Sequence, residues 1–557
     1  MTPTSNPRRW MALAATAAIF GSVFAAIAYQ SSKPADAPAK ADAKNALERN
    51  AAEWPLFGGS VSRNLVNLVD KNIPTTWDIT PGKTVNIKWS VEMGTKAYGG
   101  PVIAGGKIFM GTNNGRPRNP KITGDKGVMM CFEEKTGKFL WQTVYDKLPA
   151  GRVKDWPEEG ICSAPFVAGE YLYYICNRCE VICAKVETGA IVWSLDMIGK
   201  YNVFPHNLST CSPLAVGDTL FVITSNGVDL DHLNVPQPNA PSFLAIDIKK
   251  SLAEKTGVVK WSSNLPSIKL LEARKKDPTV TIKQLVDKGD LLMHGQWSNP
   301  VYAEVSGKAM IVFPGGDGWL YAFDPAKGDL LWKFDCNPKS SFYVLGPRAT
   351  RNDFVSTPVV WENKLYIGVG QDPEHLKGVG HLWCIDLAKA IALGAKNAGN
   401  DVSPWADPAK SPAFDPKNPK NKDSAFLWHY GGDNPTKKPR EYHFGRTMST
   451  CSIHDGLLFT SEYDGWLHCL DARTGAKFWD HNMDADNWSS PYLVDGKIHI
   501  GNEIGDMLIF EHSKTKKLID TVSMGCLLRA TPVAVNGVLY ISTENPCKLY
   551  AITPGGK

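Results

Sequence analysis

Five basic side chains each precede a short apolar run in this 557-residue chain: His294, Arg348, Arg351, Arg446 and Arg529. Arg446, for instance, leads into Ser449-Thr450-Cys451. Carboxylates occupy the breaks between neighbouring runs: Asp317, Asp372 with Glu374 and His375, Glu462, Asp464 and Glu503. Guanidinium groups grip carboxylates through paired hydrogen bonds. Several carboxylate oxygens together suit Ca²⁺. Gathered round one cleft, such residues make an anion-binding or redox pocket. Asp317 and Asp464 also carry a plainer reading, because each is followed by Gly and Asp-Gly is turn chemistry. The arginines and His294 are not turn formers, so their position has to explain them.

The runs that must position these residues repeat. One unit reads Asn299-Pro300-Val301, Ala309-Met310-Ile311-Val312-Phe313, Gly316-Asp317-Gly318-Trp319-Leu320-Tyr321-Ala322-Phe323-Asp324, then Gly328-Asp329-Leu330-Leu331-Trp332. Another runs through Leu457-Leu458-Phe459, Asp464-Gly465-Trp466, Asp471, Thr474-Gly475 and Trp479. Short apolar runs broken by Asp-Gly and Thr-Gly are strands joined by hairpins, and four per unit make a propeller blade. The fourth strand carries Trp141, Trp193, Trp261, Trp332, Trp428 and Trp479; the seventh unit lacks it. The eighth unit, from Thr531-Pro532, has only three strands, while Ile87-Lys88-Trp89-Ser90-Val91 is a fourth strand without a blade. Joining the two removes two open edges. The expectation is an all-β, eight-bladed propeller of four-stranded antiparallel blades over residues 54–557, closed by residues 85–92.

In a propeller the loop entering each innermost strand and the loop between strands two and three open on one face. Entering loops then contribute His206, Asn207, His294, Gln296, Arg348, Arg351, Asn352, His443, Arg446, Asp486, Asn487 and Arg529. Hairpin loops contribute Asn113, Asn114, Asp229, His232, Asp317, Asp372, Glu374, His375, Glu462, Asp464 and Glu503. The five basic residues are expected to gather round the channel mouth. Trp297, Trp319, Trp466 and Trp488 either stack on a planar ligand or pack against neighbouring blades.

Ala322-x-Asp324-x-x-x-Gly328-x-x-x-Trp332 and Asp471-x-x-Thr474-Gly475-x-x-x-Trp479 resemble the tryptophan-docking motif of PQQ-repeat propellers. That family includes quinoprotein alcohol dehydrogenases and the propeller subunit of the bacterial outer-membrane assembly machine. The resemblance covers residues 54–554 and is specific for fold, not for function. It implies three readings: a propeller binding a small-molecule ligand or an envelope protein on its top face, a dehydrogenase of alcohols or sugars using PQQ and calcium, or an assembly scaffold. In the second, Asp317 or Asp464 would take the substrate hydroxyl proton, and the basic ring with Asp372, Glu462 and Glu503 would hold the tricarboxylate quinone and its ion. The adjacent cysteine pair of the alcohol dehydrogenases is absent; related sugar dehydrogenases lack it too.

Twelve cysteines need a separate account. Cys131, Cys183, Cys384 and Cys469 fall in the third-strand slot that holds Ala245, Ala322 and Ala551, as small buried hydrophobes. Cys176-x-x-Cys179-x-x-x-Cys183 falls short of four ligands for a structural metal, so no metal is assigned and a Cys176–Cys179 bridge is expected ahead of one. Without Cys-x-x-Cys-His there is no covalent c-type haem. A net charge of +5 gives no reason to expect nucleic acid as the partner. Arg8 and Arg9 before the apolar residues 10–29 form an export signal, either cleaved after Ala28 or kept as a membrane anchor, which places the protein in the periplasm. Residues 31–53 are a linker. Insertions at 228–242, 264–294 (with a short helix over 282–286) and 387–425 decorate the rim or carry function.

Overall fold

The computed structural model describes residues 53–265, 279, 294–338, 341, 349–404 and 423–556. The export signal, nearly all of the linker, the helix expected at 282–286, Arg348 and residues 405–422 of the third insertion lie outside the described residues.

Eight antiparallel blades form the propeller. Blade one comprises Val102–Ala104, Lys107–Asn113, Lys126–Glu133 and Phe139–Asp146, from the inside outwards. Blades two to eight begin at Phe166, Leu214, Val301, Val359, Ser452, Tyr492 and Val533. Blade eight takes its outer strand, Ile87–Glu92, from the start of the propeller and pairs it antiparallel with Lys548–Ile552, as expected from the orphan strand.

The repeat has a physical basis that runs from blade to blade. Each fourth-strand Trp lies opposite the small slot of strand three: Cys131 faces Trp141, Cys183 Trp193, Ala245 Trp261, Ala322 Trp332, Cys384 Trp428, Cys469 Trp479 and Ala551 Trp89. A bulge follows every one of these pairs and turns the strand. The indole N–H then donates into the next blade, from Trp141 to Val186 O (3.0 Å), Trp261 to Pro325 O (3.0 Å) and Trp428 to Ala472 O (3.1 Å). The ring rests on the turn glycine of that blade. A Cβ on Gly475 would sit 2.6 Å from Trp428, and its φ of +74° disfavours any other residue.

Two blades depart from the motif. After strand three, blades three and five enter the helices Ile248–Glu254 and Leu387–Gly394 instead of a turn. The motif aspartate becomes an N-cap: Asp247 accepts from Lys250 N at 3.0 Å and Asp386 from Lys389 N at 2.9 Å. The tryptophans that face these helices, Trp193 and Trp332, have no acceptor for their indole nitrogens among the described residues.

The segment before blade eight's strand is not part of any blade. Residues 54–67 run round the channel wall and satisfy the innermost strands in order. Trp54 pairs with Ile103, Pro55 O accepts from Val167 N, Val61 O from Tyr302 N and Ser62 O from Val360 N. The Asn64 amide exchanges two bonds with the Ile453 backbone (2.8 and 2.9 Å). Val66–Asn67 pairs in parallel with blade seven, and Asn67 Nδ2 reaches Ala534 O in blade eight (2.8 Å). Blade three is met by Arg63, whose guanidinium donates to Ser212 O, Pro213 O, Pro300 O and Phe57 O. This belt supplies partners to edges that a propeller otherwise leaves to water.

All twelve cysteines are free, so the expected Cys176–Cys179 bridge does not form. Cys179 occupies the hairpin corner at φ +60°, and its thiol points across to Thr224 O in blade three. Among the described residues no helix is long and apolar enough to cross a membrane.

Candidate functional site

Three loops bring a nest of imidazoles and carboxylates together on the top face at blades three to five. His206 comes from the loop entering blade three, His232 from that blade's hairpin loop, and His294 from the loop entering blade four. The three rings stand edge to edge, with centroids 4.9, 4.7 and 4.7 Å apart. Trp297 stacks on His206 at 5.5 Å and donates its indole N–H to His206 O (3.1 Å).

Beside them, Asp372 follows the second strand of blade five, Lys364–Gly370, and caps the turn Pro373–His375. Its Oδ2 lies 3.1 Å from His294 Nε2 and accepts from His375 Nδ1 at 3.2 Å; its Oδ1 accepts from Glu374 N at 2.7 Å. Arg351 donates to Asp353 Oδ1 at 2.6 Å. Arg446 reaches over blade five's loop to His375 O, Leu376 O and Gln371 Oε1 (2.7 Å).

Burial sets the protonation here. It depresses His206 to about 4 and His294 well below the ordinary imidazole range, and lowers His232 as well, so all three are neutral. Burial alone would raise Asp372. The hydrogen bonds from His375 Nδ1 and the Glu374 amide outweigh it and hold the carboxyl below the ordinary carboxylate range, ionised. The hydrogen bond to Asp372 raises His375. Burial pushes Asp353 up to about 7 against the pull of Arg351.

Buried atoms of this nest are left without hydrogen bonds among the described residues, foremost both ring nitrogens of His294, which is 1% exposed, and Oδ2 of Asp353. The 3.1 Å approach of Asp372 to His294 is close in distance but out of hydrogen-bond alignment. A buried polar atom without a partner costs about 1–3 kcal/mol.

The other expected site residues form separate groups. Glu462 is held by Arg440 through two bonds (2.7 and 2.6 Å) and by His468 (2.6 Å). Asp464 meets Tyr442 and Lys377, and Lys377 also binds Asp486. Arg529 pairs with Glu503 (2.7 Å) and Glu544 (3.3 Å) and donates to Tyr98 OH, beneath Trp488. Asp317 bonds Trp319 N and Tyr321 OH. Of the five basic residues, His294, Arg351 and Arg446 therefore share one nest, Arg529 belongs to another, and Arg348 lies outside the described residues. Asp353, Gln371, Arg440 and Glu544 were not singled out from sequence. Asp353 had a signal, since Arg351-x-Asp353 in extended chain puts both on one side.

The nest is poorly suited to calcium as the described residues stand. Cavities of about 440 Å³ by Glu92, Met93, Arg116, Pro117 and Arg118, and of about 10 Å³ against Trp54, Phe57 and Leu65, lie away from it. Calcium wants six to eight oxygens, and this donor set is rich in nitrogen.

The model of a family described as outer membrane protein assembly factor BamB matches residues 75–237 and 125–407. A 1-butanol dehydrogenase (cytochrome c) of Thauera butanivorans is 27% identical over 141 residues, 23% of this chain and 19% of that protein. A polyvinylalcohol dehydrogenase of a Sphingopyxis species is 22% identical over 402 residues, 63% of this chain and 50% of that protein. The chain thus spans half or less of the length of these relatives. Among solved structures, BamB from Moraxella catarrhalis covers 85% of this chain, and 98% of its own, at 13% identity and a TM-score of 0.49. The family match extends over more than half of the residues and takes in Trp89, Trp141, Trp193, Trp261 and Trp332 of the docked tryptophans, and by it this chain belongs to the PQQ-repeat β-propellers.

Proposed function

We propose that this chain is an extracytoplasmic binding propeller whose top face takes a small ligand at the nest formed by His206, His232, His294, Asp353 and Asp372. The observation that supports it is the pair of unsatisfied buried groups, His294 and Asp353 Oδ2. A protein that leaves such atoms bare loses stability at both, and a ligand between them restores the bonds. Arg351 and Arg446 add positive charge at the rim, which favours a ligand carrying an anionic group. The apolar stretch at residues 10–29 carries the propeller across the membrane and leaves it free or tethered.

The second reading is a dehydrogenase of alcohols, favoured by the two relatives named for that activity. One experiment separates the two. Protein purified without denaturation is weighed intact and then unfolded, its absorption spectrum is recorded, and PQQ with Ca²⁺ is added back before assay with a dye acceptor. The binding reading expects extra mass that is lost on unfolding and reduced in Arg351→Ala, with no quinone band and no alcohol-dependent dye reduction. Quinone-dependent oxidation of an alcohol or sugar would overturn it. So would a native mass equal to that of the bare chain, together with no thermal shift from any of a panel of small anions and divalent ions.

A further inference from the structure

His206, His232 and His294 form a triangle of almost equal sides, and each side chain can place one ring nitrogen within 4.8 Å of the other two. We propose that these three histidines bind a divalent transition-metal ion of the Zn²⁺ type, with Asp372 as the adjoining negative charge. The proposal rests on the top-face binding reading and names its ligand.

Several independent features prepare the triangle. His206 Nδ1 lies 2.9 Å from Val228 O. A carbonyl only accepts, so Nδ1 bears the proton and Nε2 carries the lone pair, which accepts a long 3.4 Å bond from Asn207 Nδ2 that an ion would displace. A backbone partner of this kind is what usually fixes the tautomer of a metal-bound imidazole. His232 is held at φ +57°, a backbone conformation that residues other than glycine adopt at a cost. Its loop is pinned by Asp229, which accepts from Leu233 N (2.8 Å), Asn234 N (3.1 Å) and Asn234 Nδ2 (2.7 Å). His294 sits between the other two rings and the carboxylate, buried and without a hydrogen bond.

Packing alone does not account for the cluster. Among the described residues no hydrogen bond joins the three rings, although neutral imidazoles have a donor and an acceptor each. An ion uses all three lone pairs at once. Bonds of about 2.0–2.1 Å in a tetrahedral site set nitrogens about 3.4 Å apart, so the rings need close by only about 1 Å or so. Imidazole nitrogen suits Zn²⁺, Cu²⁺, Ni²⁺ or Fe²⁺, whereas Ca²⁺ prefers oxygen. Three protein nitrogens also leave a coordination position open.

The test uses the full chain without a histidine tag, stripped by chelator and titrated with Zn²⁺ and separately with Ca²⁺. One Zn²⁺ per chain should bind, and Ca²⁺ should not compete. His232→Ala, in a half-buried loop, should weaken Zn²⁺ by about 100-fold or more, exceeding the 10–100-fold typical of losing an outer-shell partner. His206→Gln should do the same, and the exposed His443→Ala should bind as the unaltered chain does. Circular dichroism and thermal melting confirm that each variant is folded. With Cu²⁺ in place of Zn²⁺, electron paramagnetic resonance should show coupling to more than one imidazole nitrogen, and this coupling should diminish in His232→Ala. Folded unaltered protein that takes no Zn²⁺, or Zn²⁺ binding that survives both variants, overturns the proposal. If the ion is absent yet an organic ligand departs on unfolding, the binding function stands and only the metal assignment falls. If neither is found, both fall.

Discussion

Asp317 has both carboxyl oxygens engaged, Oδ1 by the Trp319 amide (3.1 Å) and Oδ2 by the Tyr321 hydroxyl (2.5 Å). It is fully enclosed, and burial pushes its pKa up to about 8 despite those bonds. At neutral pH it is therefore largely a neutral acid, poorly placed to take a proton from a substrate. The native state then holds a proton that the unfolded chain gives up above the ordinary carboxylate range. Its contribution to stability falls as pH rises from about 4 towards 8, by up to about 1.4 kcal/mol per pH unit. Asp317→Asn, neutral at every pH, should flatten that decline. Urea midpoints of the two proteins at pH 5 and pH 8 check it, and equal pH dependence refutes it. Sequence placed Asp317 in a hairpin turn, and His206, His232, His294, Asp372 and Arg446, which it assigned to loops of one face, do lie together. It could not sort them into groups. Distances across the channel depend on how far each loop leans inward, and Glu462 is taken by Arg440, a residue outside the loops that were considered.

At the scale of the element, one blade is built to receive the tryptophan of the one before. Trp428 illustrates it: opposite Cys384 in its own blade, bonded to Ala472 O of the next, and seated on Gly475. Trp428→Ala removes a buried indole and should cost about 3–5 kcal/mol. Gly475→Ala leaves the indole in place but puts a methyl into it and forces a left-handed residue, so it should also destabilise, by roughly 1–3 kcal/mol. Combined, the two losses should fall short of their sum, because the methyl no longer meets a ring. Denaturant unfolding of the three variants decides this; strict additivity would mean that the two residues do not share a contact. This level of the structure was legible from sequence because it is local. Asp, Gly and Trp recur at fixed offsets, and the offsets are those of strands and turns. The helices in blades three and five were not foreseen, since Asp247 and Asp386 look like motif aspartates until the residues after them coil into a helix.

For the molecule as a whole, the belt of residues 54–67 is the least legible part. It has no repeat, its partners stand up to hundreds of positions away, and nothing in Trp54 or Arg63 announces a channel. Arg63 is fully buried, and although burial lowers its pKa to about 10 it remains charged at neutral pH. Four carbonyls from three places in the chain depend on it. Arg63→Met keeps the length of the side chain and strands those carbonyls, at an expected cost of roughly 3 kcal/mol or more. Its urea midpoint should fall, and proteases should cut within residues 54–67 before they cut any blade. A change below about 1 kcal/mol would show that water replaces the guanidinium without loss.

Residues 54–67 are synthesised before every blade they bind, while Ala534, which accepts from Asn67, and the three strands that await Ile87–Glu92 come in the last blade. The belt therefore gains its partners one blade at a time, and no set of early blades can offer it a complete ring. Contacts of such long range slow folding, because loop closure must precede the contacts that reward it. A chain cut before residue 548 would keep the partners of the belt but leave Ile87–Glu92 without the strand it pairs with, so the ring closes only when segments far apart in sequence meet in one sheet.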